Sequence, residues 1–237
     1  MYFTVLGLGF ILGLRHALDP DHLVAISTIA GEHKSLKKAS LVGTFWGLGH
    51  TASLLIAGVA VIILKLQISE TTSLWMEFAV ALMLVLLGAR ALKRALRGWK
   101  FHIHMHTHDG HRHLHLHRHR PSEEHSQEHH HRHLLGIGFR PFFIGMVHGM
   151  AGSAALMLLV LATIPSAIVA LLYIGIFGLG SIVSMLVMSS LMSLPFILSG
   201  RRFSFVSEGL QVAAGVLSLA FGLFLVWQYG FRDHLIY

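Results

Sequence analysis

Six runs of apolar residues dominate the sequence, and short polar segments separate most of them. The runs cover residues 2–30, 41–64, 74–97, 138–162, 166–197 and 205–229. A helix needs about 20 predominantly apolar residues to cross the hydrocarbon core of a bilayer. The pattern therefore predicts an all-α, polytopic membrane helix bundle with six spans.

Two of these runs are too long for one straight span. The first is interrupted at Asp19-Pro20, where proline removes a backbone donor and disfavours continuation of the helix. The fifth contains Gly175, Gly178 and Gly180. We expect both helices to be broken, tilted or kinked.

Positive charge is concentrated in alternate loops. The first, third and fifth loops carry Lys34, Lys37, Lys38, Arg90, Lys93, Arg94, Arg97, Lys100, Arg201 and Arg202, whereas the opposite side has Lys65 and Arg232. Because Lys and Arg are enriched in cytoplasmic loops, we expect a multi-pass protein of the inner (plasma) membrane with both termini outside. The three basic loops are then cytoplasmic.

Composition narrows the chemistry. Hydrophobic residues make up 54% of the chain, charged residues 12%, and cysteine is absent, which excludes thiolate metal sites and disulfides. The cations lie beside apolar runs, so anionic lipid explains the high isoelectric point and nucleic acid is not an expected partner. Any metal must be held by His, carboxylate, Met or backbone, and no prosthetic group is expected.

A hydrophilic segment at 98–136 divides the chain into a first half, 1–97, and a second half, 137–237. It contains fourteen of the twenty histidines. Many of them alternate with other residues: His102, His104, His106, His108, His111, His113, His115, His117 and His119. Such a density of imidazole favours metal capture, although a solvated linker or a pH-sensitive charge cloud would have the same composition. The low-complexity sequence predicts disorder without metal.

The two halves resemble each other. Gly13 to Ala17 aligns with Gly145 to Gly149, and Phe45 to Leu55 aligns with Ile176 to Leu186, at offsets of 132 and 131 positions. Three spans per half would turn the second copy upside down in the membrane, which is the inverted-repeat plan of many secondary transporters. Recurrent small-residue packing motifs are the simpler alternative.

Ionisable residues inside spans are costly and are functional candidates. His16, Asp19, Asp21 and His22 surround the break in the first run, and a bend with Pro20 at the first position of a new half-helix would let them converge. By counting residues from the span ends, His50 and His148 fall in the same middle layer. A lone buried histidine is more often a helix-to-helix hydrogen bond than a ligand.

Histidine and carboxylate without thiolate suit a borderline dication. Nickel or cobalt fits this donor set better than magnesium or calcium, which prefer oxygen, and zinc stays open. The predicted metal ligands are His16, Asp19, Asp21, His22, His50 and His148, with the histidine-rich segment as an auxiliary metal loop. Glu77 and Glu208 are interpreted as markers of helix starts.

Residues Arg15 to His22, with the sequence RHALDPDH, resemble the HX4DH signature of the nickel/cobalt transporter (NiCoT) family. Gly43 to Thr51 and Val147 to Ala155 are similar to its shorter, UreH-like, six-span branch, which is associated with nickel supply to urease. The resemblance implies that His16, Asp21 and His22 select the metal. The histidine-rich loop is also similar to that of related nickel/cobalt efflux proteins.

These features predict a transporter, not an enzyme, that carries Ni²⁺ or Co²⁺ as substrate. Uptake is the leading hypothesis, since a potential that is negative inside favours entry of a dication, with delivery to cytoplasmic nickel metallochaperones. Efflux by proton exchange is the main alternative. A membrane acyltransferase using His-x4-Asp and a protein that only stores metal in its loop are lesser alternatives.

Overall fold

The computed structural model describes residues 2–30, 35–66, 68–97, 101–108, 111–118, 134–151, 164, 166–202 and 204–236. Its helices are α1 (Tyr2–His16), α2 (Pro20–Ala30), α3 (Leu36–Ile62), α4 (Glu70–Arg97), α5 (Leu134–Gly149), α6 (Ala167–Arg202) and α7 (Ser204–Trp227), and a π-helical turn (Gln228–Arg232) continues α7. Strands β1 (Phe101–His108) and β2 (His111–Arg118) lie between α4 and α5. The part with membrane character is all-helical.

Four described helices are long and apolar enough to cross a membrane: Leu36–Ile62, Glu70–Leu96, Ala167–Ser199 and Phe205–Arg232. The apolar helix Phe3–His16 is shorter, because the first predicted span is divided between α1 and α2. The predicted fourth span begins in α5, and its residues 152–162 lie outside the described part of the chain. Many large apolar side chains face outward, such as Ile56, Leu86 and Ile168, as lipid contact requires.

The two long runs behave differently. The first is broken, as predicted: α1 ends at His16 and α2 begins with Pro20 at its first position. The fifth run forms one continuous helix, α6, through Gly175, Gly178 and Gly180. Gly178 and Gly180 provide close helix contacts instead of a break, since the Cβ of an alanine at Gly178 would overlap the Thr51 side chain, whereas nothing lies within 4 Å of a Cβ at Gly175.

Helix α3 packs against both α5 and α6, α1 packs against α6, and α4 packs against α7. Glycines make these approaches possible. A Cβ at Gly13 would overlap the carbonyl oxygen of Phe177, and a Cβ at Gly145 would overlap that of Trp46. Small residues let membrane helices approach with their backbones nearly in contact, so the helix frame is fixed at these points.

A second set of glycines has the same arrangement. A Cβ at Gly49 in α3 would overlap the carbonyl oxygen of Phe142 in α5, and a Cβ at Gly180 in α6 would overlap that of Phe10 in α1. Buried hydroxyls add hydrogen bonds between helices: Ser189 donates to the carbonyl of Ala39 over 2.6 Å.

The histidine-rich segment contains two strands, at residues 101–108 and 111–118, and its disorder in the absence of metal stays a prediction. Strands β1 and β2 form an antiparallel hairpin in which His102, His104, His106 and His108 pair in register with His117, His115, His113 and His111. Two sequence signals favour a hairpin. Histidine alternates with apolar residues such as Ile103 and Leu116, and Asp-Gly, the sequence at positions 109 and 110, is one that two-residue hairpin loops prefer.

Candidate metal centre

The break in the first span creates a polar centre inside the helix bundle. The carbonyl of Arg15 accepts from the amide of Leu18 and that of His16 accepts from the amide of Asp19, which closes α1 with a tight turn. Pro20 has no amide hydrogen and a fixed φ, which suit the first position of α2. The turn leaves His16 at the end of one helix and His22 in the first turn of the next.

Four histidines converge at this break. His22, His50 and His148 are at most 1% exposed, and the His16 side chain is 9% exposed. The ring centroid of His22 lies 4.0 Å from that of His148 and 4.5 Å from that of His16. The His50 centroid lies 5.0 Å from that of His16 and 5.3 Å from that of His22.

The two aspartates contact histidine nitrogens. Asp19 Oδ2 lies 2.8 Å from His16 Nδ1, and Asp21 Oδ2 lies 2.6 Å from His148 Nε2. Asp21 Oδ1 lies 3.3 Å from His22 Nδ1. In a neutral imidazole the nitrogen that faces a carboxylate carries the proton, and the other nitrogen keeps a lone pair.

Five imidazole nitrogens are buried and have no hydrogen-bond partner among the described residues: His16 Nε2, His22 Nε2, both ring nitrogens of His50, and His148 Nδ1. Leaving one buried polar group unsatisfied costs about 1–3 kcal/mol. A set of five is expensive to maintain unless a ligand engages it. The pattern agrees with the carboxylate contacts, because the unpartnered nitrogens of His16, His22 and His148 are those turned away from Asp19 and Asp21.

The geometry contains two overlapping groups of three potential ligands. Ligand atoms of His16, His22 and His50 lie within 4.8 Å of one another, and so do those of Asp21, His22 and His148. His22 belongs to both groups. Of the six predicted intramembrane ligands, five therefore lie in these groups, whereas Asp19 contacts the centre through His16.

Sequence reasoning missed two contributors to the centre. Trp46 is fully buried, and its ring stacks on His22 with centroids 5.6 Å apart; it forms an apolar wall that keeps the imidazoles in place. Glu77 lines a cavity together with His16, Asp19, Asp21 and His22, and it lies inside α4, whose first residue is Glu70. The interpretation of Glu77 as a helix-start marker is therefore wrong.

Comparison with known proteins places this chain in a family. The chain is 39% identical to "Urease accessory protein UreH" of Bacillus sp. (strain TB-90) over 233 residues, which cover 98% of this chain and 94% of that protein. It is 27% identical over 179 residues to "Chloroplast protein FOR GROWTH AND FERTILITY 2" of Arabidopsis thaliana, covering 75% of this chain and 44% of that one. No solved structure matches the chain.

The family profile extends over nearly the whole membrane part. The profile described as "High-affinity nickel-transport protein" matches residues 2–221, a range that includes both sides of the break and all four converging histidines. The match confirms the resemblance to nickel/cobalt transporters, including its UreH-like branch. The chain belongs to the NicO family of high-affinity nickel-transport proteins.

Proposed function

We propose that this protein takes up Ni²⁺, and Co²⁺ by the same route, across the inner membrane through a centre formed by His16, His22, His50 and His148. The observation that carries the proposal is the set of five buried, unpartnered imidazole nitrogens at the break in the first span. Family membership supports nickel as the substrate. An imidazole set without thiolate favours nickel or cobalt over magnesium or calcium.

Asp19 and Asp21 have a different role in this proposal from the one their sequence pattern suggested. A carboxylate that accepts the proton of one ring nitrogen orients the imidazole and makes the other nitrogen a better donor to a metal. Asp21 does this for both His22 and His148, and Asp19 does it for His16. Asp21 is in addition close enough to the ligand atoms of His22 and His148 to bind the ion itself.

The overlapping ligand groups support passage of the ion in steps. His22 would hold the ion together with Asp21 and His148, and then together with His16 and His50, without releasing it between the two positions. Sites that are weak or multiple let an ion leave as well as enter. A membrane potential that is negative inside favours entry by about 2.3 kcal/mol per charge per 100 mV.

The proposed frame is a six-span bundle of two inverted three-helix repeats, residues 1–97 and 137–237. The support is the reciprocity of the glycine contacts. Gly13 of the first repeat contacts Phe177 of the second, and Gly145 of the second contacts Trp46 of the first. Gly145 is the counterpart of Gly13 at an offset of 132 positions, and Phe177 is the counterpart of Trp46 at an offset of 131. Inverted repeats of this kind alternate access to a site near the midplane.

The histidine-rich segment 98–136 is proposed to hold metal on the cytoplasmic side, before transfer to nickel metallochaperones. The register of β1 and β2 supports this role, since four histidine positions of one strand lie opposite four of the other and alternate residues of a strand share one face. The placement of both termini outside follows from the basic loops.

Flux of radioactive nickel in vesicles of known orientation tests the proposal. We expect uptake from the outer face in the wild type and none in His50→Ala, with normal insertion of the protein. His234→Asn is a matched control, because His234 is exposed, lies outside the centre and has a positive φ that asparagine tolerates. Flux only from the cytoplasmic face would favour efflux, and normal uptake by His50→Ala would remove the histidine route.

A further inference from the structure

A cavity of about 260 Å³ lies beside the histidine centre, and its walls differ in chemistry. Its polar lining comes from the break between α1 and α2, with His16, Asp19, Asp21 and His22, and from Glu77 of α4 and Tyr229 of the π-helical turn. Its apolar lining comes from Pro20, Val80, Ala151, Phe221 and Leu225.

Glu77 and Tyr229 are joined across two helices. Both are half-buried, and the Tyr229 hydroxyl donates a hydrogen bond to the Glu77 carboxylate. An ionised carboxylate has about four acceptor sites, so this one bond leaves Glu77 able to bind water or a hydrated cation. A structural tie between α4 and the end of α7 would account for the hydrogen bond, but it would not require a negative charge in a cavity whose lining is partly apolar.

The same cavity contains an independent sign of a ligand. His22 lines it and is 1% exposed, and its Nε2 has no partner among the described residues. A carboxylate oxygen suits a cation that keeps its water, whereas imidazole nitrogen suits a borderline dication that has lost it. A carboxylate and an unpartnered imidazole that line one cavity therefore provide two successive environments for such a cation.

We propose that Glu77, held by Tyr229, is the outer capture ligand that takes hydrated Ni²⁺ from the external side and passes it to His22. The proposal rests on the uptake function and orientation proposed above, which put the start of α4 and the end of α7 at the outer face. Asp19, whose side chain is 49% exposed, and the exposed Asp233 add negative charge near this mouth. Such a mouth concentrates dications before they bind.

Nickel flux in three variants separates capture from a structural tie. Glu77→Gln keeps an oxygen that accepts from Tyr229 but loses the charge, so we expect the half-saturating nickel concentration to rise about tenfold while the maximal rate is retained. Tyr229→Phe keeps the charge and should have the smaller effect. Glu70→Gln, an exposed position in the first turn of the same helix, should leave both parameters unchanged.

The opposite ranking would overturn the proposal. Normal saturation in Glu77→Gln together with loss of folded protein in Tyr229→Phe would mean that the pair only joins helices. A reduced maximal rate without a change in half-saturation would place Glu77 outside the capture step.

A labelling experiment tests the same site without flux. The chain has no cysteine, so Phe221→Cys introduces a single thiol in the wall of the same cavity and leaves Glu77 in place. We expect a membrane-impermeant thiol reagent added outside to label it, Ni²⁺ to slow the labelling, and Glu77→Gln to weaken this protection. Glu70→Cys should be labelled with no protection by Ni²⁺.

Labelling only from the cytoplasmic face, or labelling indifferent to Ni²⁺, would contradict outer capture. Protection by Ni²⁺ in a protein that carries no nickel flux would leave the capture site standing and would remove the transport proposal instead. Failure of the capture site and failure of the transport proposal therefore give different results.

Discussion

The helix-embedded histidine centre and the histidine-rich segment 98–136 differ in how their histidines are held. The segment has fourteen histidines, whereas the centre has four. In the centre, carboxylates and the wall of Trp46 orient the rings, and backbone contacts at glycines fix the helices that carry them. In the segment, the described order is a two-stranded hairpin, which is marginal on its own. The placement of the imidazoles, and not their number, therefore decides which region can select an ion.

The largest expected effect comes from the centre. His22→Ala or Asp21→Asn should abolish nickel flux while the protein still inserts. His22 belongs to both ligand groups. Asp21 uses both carboxylate oxygens for two histidines, and asparagine has only one acceptor oxygen. Losing a partner that orients ligands costs about 10–100-fold in metal affinity or activity. Normal radioactive nickel uptake by both variants, at equal membrane abundance, would show that the centre is not on the route.

The second-largest effect concerns the close helix packing that holds the histidine centre and that the histidine-rich segment lacks. Gly49→Ala should destabilise the folded protein by about 1–3 kcal/mol or more, because its Cβ would overlap a backbone oxygen of α5 that cannot rotate away. Gly175→Ala is the matched control in α6, since nothing lies within 4 Å of its Cβ, and it should be neutral or stabilising by about 0.5–1 kcal/mol. Thermal unfolding of the purified proteins in detergent measures both. Equal stability of Gly49→Ala and Gly175→Ala would mean that α3 and α5 are not in close backbone contact at Gly49.

A smaller effect is expected from deleting residues 102–133. If the segment only concentrates metal in the cytoplasm, flux should stay measurable at high external nickel, while metal sensitivity changes. The difference from the wild type should fade below about pH 6, because free imidazoles have a pKa of about 6.5 and lose metal on protonation. Metal sensitivity of cells and vesicle flux, each measured at two pH values, test this. A deletion as inactive as His22→Ala, at normal expression, would put the segment on the transport path.

The smallest effect should come from Asp19→Asn. Asp19 contacts the centre through His16 Nδ1, and the amide oxygen of asparagine can accept the same proton. We expect the nickel affinity to fall about two- to threefold, below the range typical for losing such a partner altogether. Asp19→Ala, which removes the acceptor, should be clearly worse. Equal loss in both variants would mean that Asp19 acts as a charged ligand, which is how the sequence pattern was first interpreted.

Sequence pattern anticipated the parts of the fold that depend on local rules. The break at Asp19-Pro20 follows from the backbone of proline, and the convergence of His16, His22, His50 and His148 follows from counting depth along apolar runs. It left open whether the fifth run is broken, tilted or kinked, because glycines that break a helix and glycines that let two helices touch look the same in sequence. The structure has one continuous helix there.

The same limit applies within the site. Whether a carboxylate binds metal or orients a histidine depends on which ring nitrogen it faces, and no spacing rule gives that. Glu77 was missed because its partner, Tyr229, is about 150 positions away in the chain, and only the packing of α4 against α7 brings them together. For the hairpin, the sequence contains a signal in Asp109-Gly110 between alternating residues, although the low-complexity composition favours disorder.

Nickel X-ray absorption spectroscopy on the chain lacking residues 102–133 is the sharpest test of the histidine centre, because it reports the ligands of the remaining ion. We expect bound nickel with several imidazole ligands, and loss of that imidazole signal in His22→Ala. Nickel that does not bind, or that shows only oxygen ligands in both proteins, would contradict a histidine centre at the break between α1 and α2.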